Sequence, residues 1–139
     1  MVDSARLDQM LSNLRKYVGV LEGLAREPSE RFLNDVNMIG NAKYHFVISI
    51  ECSIDVANHI IASEDFRFPK DNADSFAVLV ENGIIDEDLR EPLQAMARFR
   101  NRLVHLYWDV EERRVHEYLQ NSLGDLRRFS RIIADRFSG

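Results

Sequence analysis

Apolar residues recur at steps of three and four along most of the chain, and that period calls for helices. Leu7, Met10, Leu11, Leu14, Val18, Leu21 and Leu24 form one stripe, on a helix over about residues 4–26. Asp3 or Ser4 can cap its start, and Pro28 marks its end. Val47, Ile50, Ile54, Ala57 and Ile61 form a second stripe, on a helix from Val36 to Ser63. The β-branched run Val47-Ile48-Ser49-Ile50 would also suit a strand. The helical period, however, continues for about seven turns with no proline inside it. Between these two, Pro28-Ser29-Glu30 opens a connector or short turn containing Phe32 and Leu33.

Residues 65–72 read as a loop. A short helix over about 73–82 stops at Asn82-Gly83, a left-handed cap signal. Asp86 is placed to cap a fourth helix running to about Trp108, with Leu89, Leu93, Met96, Leu103, Val104 and Tyr107 at helical spacing. A last helix spans about 111–137, with Val115, Leu119, Leu123, Leu126, Ile133 and Phe137 as its stripe, interrupted by Gly124. Short loops between antiparallel neighbours predict an all-α, up-and-down four-helix bundle with one extra short helix. The 139 residues fit one domain, 1–139, with no repeat or linker.

Composition narrows the classes. No apolar run approaches the roughly 20 residues of a membrane span. The segment Met1-Val2-Asp3-Ser4-Ala5-Arg6 has no signal-peptide core, so a cytoplasmic protein with no membrane partner is expected. The one cysteine, Cys52, excludes an internal disulfide and a multi-cysteine metal site, and its spacing suggests a small core residue. His45, His59, Glu51 and Asp55 lack recognisable metal-ligand spacing, so neither metal nor cofactor is expected. The net charge of −5 argues against a broad nucleic-acid footprint. Arg98, Arg100, Arg102, Arg113 and Arg114 nonetheless fall within 17 residues, enough for a local positive patch on an acidic body.

The chemistry concentrates on the fourth helix. At about 100° per residue, Arg98, Asn101, Arg102, His105 and Asp109 share a polar side. Met96, Arg100, Leu103, Val104 and Tyr107 follow the apolar side, so Arg100 stands where a packed helix carries a hydrophobe. A guanidinium cannot shed its charge, so burial requires a partner. Glu51, Asp55, Asn58 and His59 form a polar line beside the isoleucines of the second helix, and Glu51 or Asp55 is the expected partner. His105 is the acid/base candidate, because an imidazole ordinarily titrates near ~6.5. Arg100 and His105 lie about 140° apart around an ideal helix and ~7.5 Å along it. They converge only if the arginine reaches round, the helix distorts, or two chains share the site. Asn101 and His105 are four apart and can meet. Tyr107 and Trp108 read by spacing as packing residues.

Arg100-Asn101-x-x-x-His105-x-Tyr107 resembles the Arg-x4-6-His signature of HEPN domains, and more narrowly the Arg-x4-His-x-Tyr form of the HepT ribonuclease toxins. Residues 50–61 resemble that family's second long helix, and Phe76-Ala77-Val78-Leu79 and Gly83-Ile84-Ile85 fit the same template. The resemblance covers most of the chain and implies a homodimeric, metal-independent endoribonuclease with its two motifs meeting at the dimer cleft. It implies His105 as general acid or base, Arg100 as the stabiliser of the phosphorane, and Asn101 as an orienting residue. Arg98 and Arg102 are candidate RNA contacts, with Glu51 and Asp55 as the supporting polar network. The family's partner is a MntA-type nucleotidyltransferase antitoxin that adds AMP to the motif tyrosine, here Tyr107. No DNA partner is expected. A non-catalytic helper subunit of a nucleotidyltransferase is the alternative reading, and a purely structural dimerisation bundle is a third.

Overall fold

The computed structural model describes residues 1–137. Among the described residues seven α-helices follow one another: α1 (Ser4–Ala25), α2 (Ser29–Leu33), α3 (Val36–Ser63), α4 (Asn72–Glu81), α5 (Arg90–His105), α6 (Glu112–Asn121) and α7 (Leu123–Phe137). Side-chain caps set three of the starts. The carboxylates of Asp3, Asp35 and Asp71 accept hydrogen bonds from the first-turn N–H groups of α1, α3 and α4. Gly83, at φ 68°, supplies the left-handed residue that ends α4.

Helix α1 packs on α3 and α7, α3 packs on α5, and α4 lies against both α3 and α5. One continuous hydrophobic core runs from Leu7 to Ile133. By length and composition α3 would pass as a membrane span, at a mean hydropathy of 1.3 over its most apolar window. Its residues Ile50, Ile54, Ala57 and Ile60 are instead buried within the bundle. The all-α bundle expected from the periodicity is therefore present.

Four boundaries differ from the sequence reading. The connector after Pro28 is itself helical, and it drives Phe32 into the core, where the ring meets His116 at 5.6 Å between centroids. Asp86 does not cap α5; its carboxylate accepts from Arg128 at 2.7 Å, and a single 3-10 turn (Glu87–Leu89) precedes the helix. Helix α5 stops at His105, three residues early, and Tyr107–Asp109 forms a separate 3-10 turn. The last helix is two helices, broken at Ser122, with Gly124 in the first turn of α7.

Phe32 is fully buried although its helix is only five residues long, so α2 exists to carry that ring. Phe32→Ala is expected to cost about 3–5 kcal/mol of stability, read as a lower urea midpoint; an unchanged midpoint would show that the ring contributes no core packing.

Candidate functional site

Helix α5 presents Met96, Phe99 and Leu103 to the core. Phe99, which the spacing argument passes over, stacks on Tyr118 of α6 at 4.0 Å and meets Phe46 of α3 edge-on. This three-ring contact fixes the rotation of α5, and that rotation turns Arg100 towards α3. Arg100 Nε and Nη2 both donate to Glu51 Oε1, at 3.1 and 2.6 Å. The arginine side chain is only 20% exposed, so its charge is neutralised where water is scarce. Nη1 donates to Asn101 Oδ1 at 3.1 Å. Of the five guanidinium N–H groups, two remain without a hydrogen bond to any described residue.

Of the two expected carboxylate partners, Glu51 is the one that bonds the arginine. Asp55, one turn further along α3, is exposed and influences Arg100 through space alone. Partial desolvation and the neighbouring Glu51 push the Asp55 carboxyl above its ordinary value, and Arg100 and Arg6 partly offset this. Asn58 accepts a hydrogen bond from Ser75 at 2.7 Å, tying α3 to α4. Cys52 is half-buried and its thiol points at the Met10 carbonyl, 3.2 Å away. Burial, helped by Asp55, raises that thiol to about 11, so it is a packing group and not a nucleophile at neutral pH.

His105 occupies the last position of α5 and is exposed. No hydrogen bond joins its ring to any described residue, and Asn101, expected to orient it, serves Arg100 instead. Arg98 is held by Glu91 at 2.7 Å, whereas Arg102 is exposed with no carboxylate partner among the described residues. Tyr107 and Trp108 are not packing residues: they are 48% and 79% exposed, because the chain leaves the helix before reaching them. Val104 and Leu106 are exposed beside them, giving the end of α5 an apolar rim around polar groups.

Lys43 is the residue that the sequence reading misses. Its side chain is 6% exposed, its Nζ donates to the Tyr107 carbonyl at 3.3 Å, and it lies over the Tyr107 ring, 4.1 Å from the centroid. The signal is present, since Lys43 precedes Val47 and Ile50 on the same stripe and is, like Arg100, a charge at an apolar register. Among the described residues no three His, Cys, Asp or Glu side chains group as metal ligands.

Glu51→Ala strands a mostly buried guanidinium and is expected to lower stability by about 1–2 kcal/mol, read by urea denaturation. Asp55→Asn is expected to have the opposite sign. A carboxyl raised by folding favours the native state at low pH and opposes it once ionised. The Asn variant should therefore melt higher than the parent at pH 7, with the gap closing as pH falls through the carboxylate range. A lower melting temperature at pH 7 would contradict the stated environment of Asp55.

Comparison with known proteins places the chain. Residues 7–133 match the family model for ribonuclease HepT-like proteins. Over 83 residues the chain is 34% identical to the mRNA nuclease HepT of Shewanella oneidensis, a match spanning 60% of this chain and 62% of that protein. A second relative, from Archaeoglobus fulgidus, is 30% identical over 122 residues, 88% of this chain and 90% of its own. Among solved structures, a chain of the tri-AMPylated Shewanella oneidensis HEPN toxin in complex with MNT antitoxin superposes with a TM-score of 0.86 at 24% identity, covering 97% of this chain and 99% of that one. A chain of a toxin–antitoxin complex with AMP-PNP gives 0.86 at 23% identity, over 93% and 97% of the two chains. YutE of Bacillus subtilis, a cytosolic protein, gives 0.84 at 18% identity, over 97% and 90%. These structural likenesses are of fold, whereas the family match extends over nearly the whole sequence. The chain belongs to the ribonuclease HepT-like family.

Proposed function

We propose that this chain is a metal-independent endoribonuclease toxin acting from the C-terminal end of α5. One observation carries the reading: in a chain of this family, the Arg-x4-His-x-Tyr motif lies at an exposed helix end, with Arg100 held by Glu51 yet keeping free N–H groups. A guanidinium anchored in this way is preorganised for a phosphate and does not reorganise on binding.

In the proposed reaction the RNA 2′-hydroxyl attacks the adjacent phosphorus. Its proton goes to an imidazole, a phosphorane forms, and the P–O5′ bond breaks with the 5′-oxygen protonated by a second acid. The products are a 2′,3′-cyclic phosphate and a 5′-hydroxyl. His105 is one of the two proton-transfer groups, and His105 of a second copy fills the opposite role. Arg100 and the free amide N–H groups of Asn101 stabilise the equatorial oxygens. A homodimer explains how residues about 140° apart on one helix serve one phosphate, and the exposed Val104 and Leu106 supply apolar surface for that pairing. Arg102, with Arg98, guides the strand.

The partner is a MntA-type nucleotidyltransferase, which silences the toxin by transferring AMP to Tyr107. The exposed ring of Tyr107, two residues from His105, suits that modification, because the added bulk and charge obstruct the phosphate path.

The test is RNA cleavage in the presence of EDTA. Arg100→Ala and His105→Ala are each expected to lower the rate at least about 100-fold, and end-group analysis of the parent's products is expected to show cyclic phosphate. Undiminished cleavage by both variants would remove the mechanism, and loss of parent activity in EDTA would remove the metal independence.

A further inference from the structure

Lys43 is a buried residue with no carboxylate partner among the described residues; its ammonium donates to a backbone carbonyl and lies over an aromatic face. Buried lysines are otherwise almost always paired. An apolar side chain of similar length would fill the same space without the cost of an uncompensated charge. One hydrogen bond to the Tyr107 carbonyl leaves the ammonium with unused N–H groups, so beyond holding that turn it is placed to receive an anion.

A cavity of about 630 Å³ opens beside it, lined by Gly40, Lys43, Tyr107 and Trp108 and by the carboxylates of Asp109, Glu111 and Glu112. That volume lies within the roughly 300–1,000 Å³ range of small-molecule sites. The Tyr107 hydroxyl lies against Gly40, where a Cβ would stand 3.8 Å from it, and both residues line the cavity. Trp108, 79% exposed, offers an indole with little packed on it.

We propose that this cavity seats the adenylyl group of modified Tyr107, with Lys43 pairing the phosphate and Trp108 stacking the adenine. This inference rests on the reading that Tyr107 is adenylylated. In that transfer the Tyr107 Oη attacks the α-phosphorus of ATP held by the partner enzyme. An Oη–P bond forms, the bond to pyrophosphate breaks with its electron pair, and the phenolic proton leaves to solvent. The resulting diester keeps one negative charge on an arm attached to the ring that Lys43 already covers. A flexible lysine stem reaches it with little movement. A base stacks on any accessible aromatic face, and the carboxylates of Asp109, Glu111 and Glu112 suit ribose hydroxyls. Those carboxylates are exposed and screened, whereas Lys43 is not, so the phosphate experiences the lysine most strongly.

The experiment uses the full chain, its cognate nucleotidyltransferase and ATP, with intact mass to count adenylyl groups. Trp108 is the single tryptophan, so its emission reports the adenine directly. Adenylylation of the parent is expected to quench that emission at least about twofold, and phosphodiesterase treatment to restore it. Adenylylated Lys43→Met is expected to keep most of its emission and to lose AMP to phosphodiesterase at least about tenfold faster, since the group spends more time undocked. A mass gain on Tyr107 with no quench in the parent overturns the docking inference and leaves the modification standing. No mass gain, or a gain that persists in Tyr107→Phe, overturns the modification reading and this inference with it. The parent measurement decides even if the methionine variant fails to fold.

Discussion

The ion pair between Arg100 and Glu51 is the interaction on which the rest of this structure turns. It joins the two helices that carry Arg100, Asn101, His105 and their supporting carboxylates, at a depth where the guanidinium would be costly alone. Its geometry follows from packing: Phe99 stacked on Tyr118 and edge-on to Phe46 leaves α5 one rotation, and that rotation sends Arg100 towards α3. The arginine is thereby immobilised with some of its fork unspent. A surface arginine would lose conformational freedom on meeting a phosphate. This one has already lost it on folding.

Lys43 has the matching role at the turn that follows α5. The turn of Tyr107–Asp109 buries none of its own residues, and it is held by the Leu106 N–H on the Arg102 carbonyl, by Val110 in the core, and by Lys43 on the Tyr107 carbonyl. Both Lys43 and Glu51 thus reach from α3 across to α5 or its C-terminal turn. Helix α3 is the platform on which the candidate groups of α5 and its C-terminal turn are held. This division explains why so apolar a helix tolerates Lys43, Glu51 and Asp55.

Much of this is legible in the sequence. A charge on an apolar stripe is an anomaly that burial makes expensive, and Arg100 announces itself in that way, with Glu51 as its partner. Lys43 carries the same signal, but a stripe counted from Val47 and not traced one turn back passes over it. Helical spacing assigns Trp108 and Tyr107 to packing because it runs on past the point where the helix ends. Neither glycine nor proline marks that end, and Arg102 and His105 in the last turn are its only local stop signal. The stop is imposed by Val110 entering the core and by Lys43 taking the Tyr107 carbonyl.

The sequence by itself determined the helical class, the order of the long elements, most of the leucines and isoleucines of the core and the residues bearing charge at unfavourable registers. Those properties depend on period and on solvation, which are local or additive along the chain. Tertiary structure alone decided where α5 stops, that Phe32 needs a helix of its own, that Asn101 serves Arg100 and not His105, and that Tyr107 and Trp108 face a cavity floored by a lysine. Each depends on which groups meet from distant stretches of the chain, or on which of two local hydrogen bonds wins. Residue spacing carries no record of that competition.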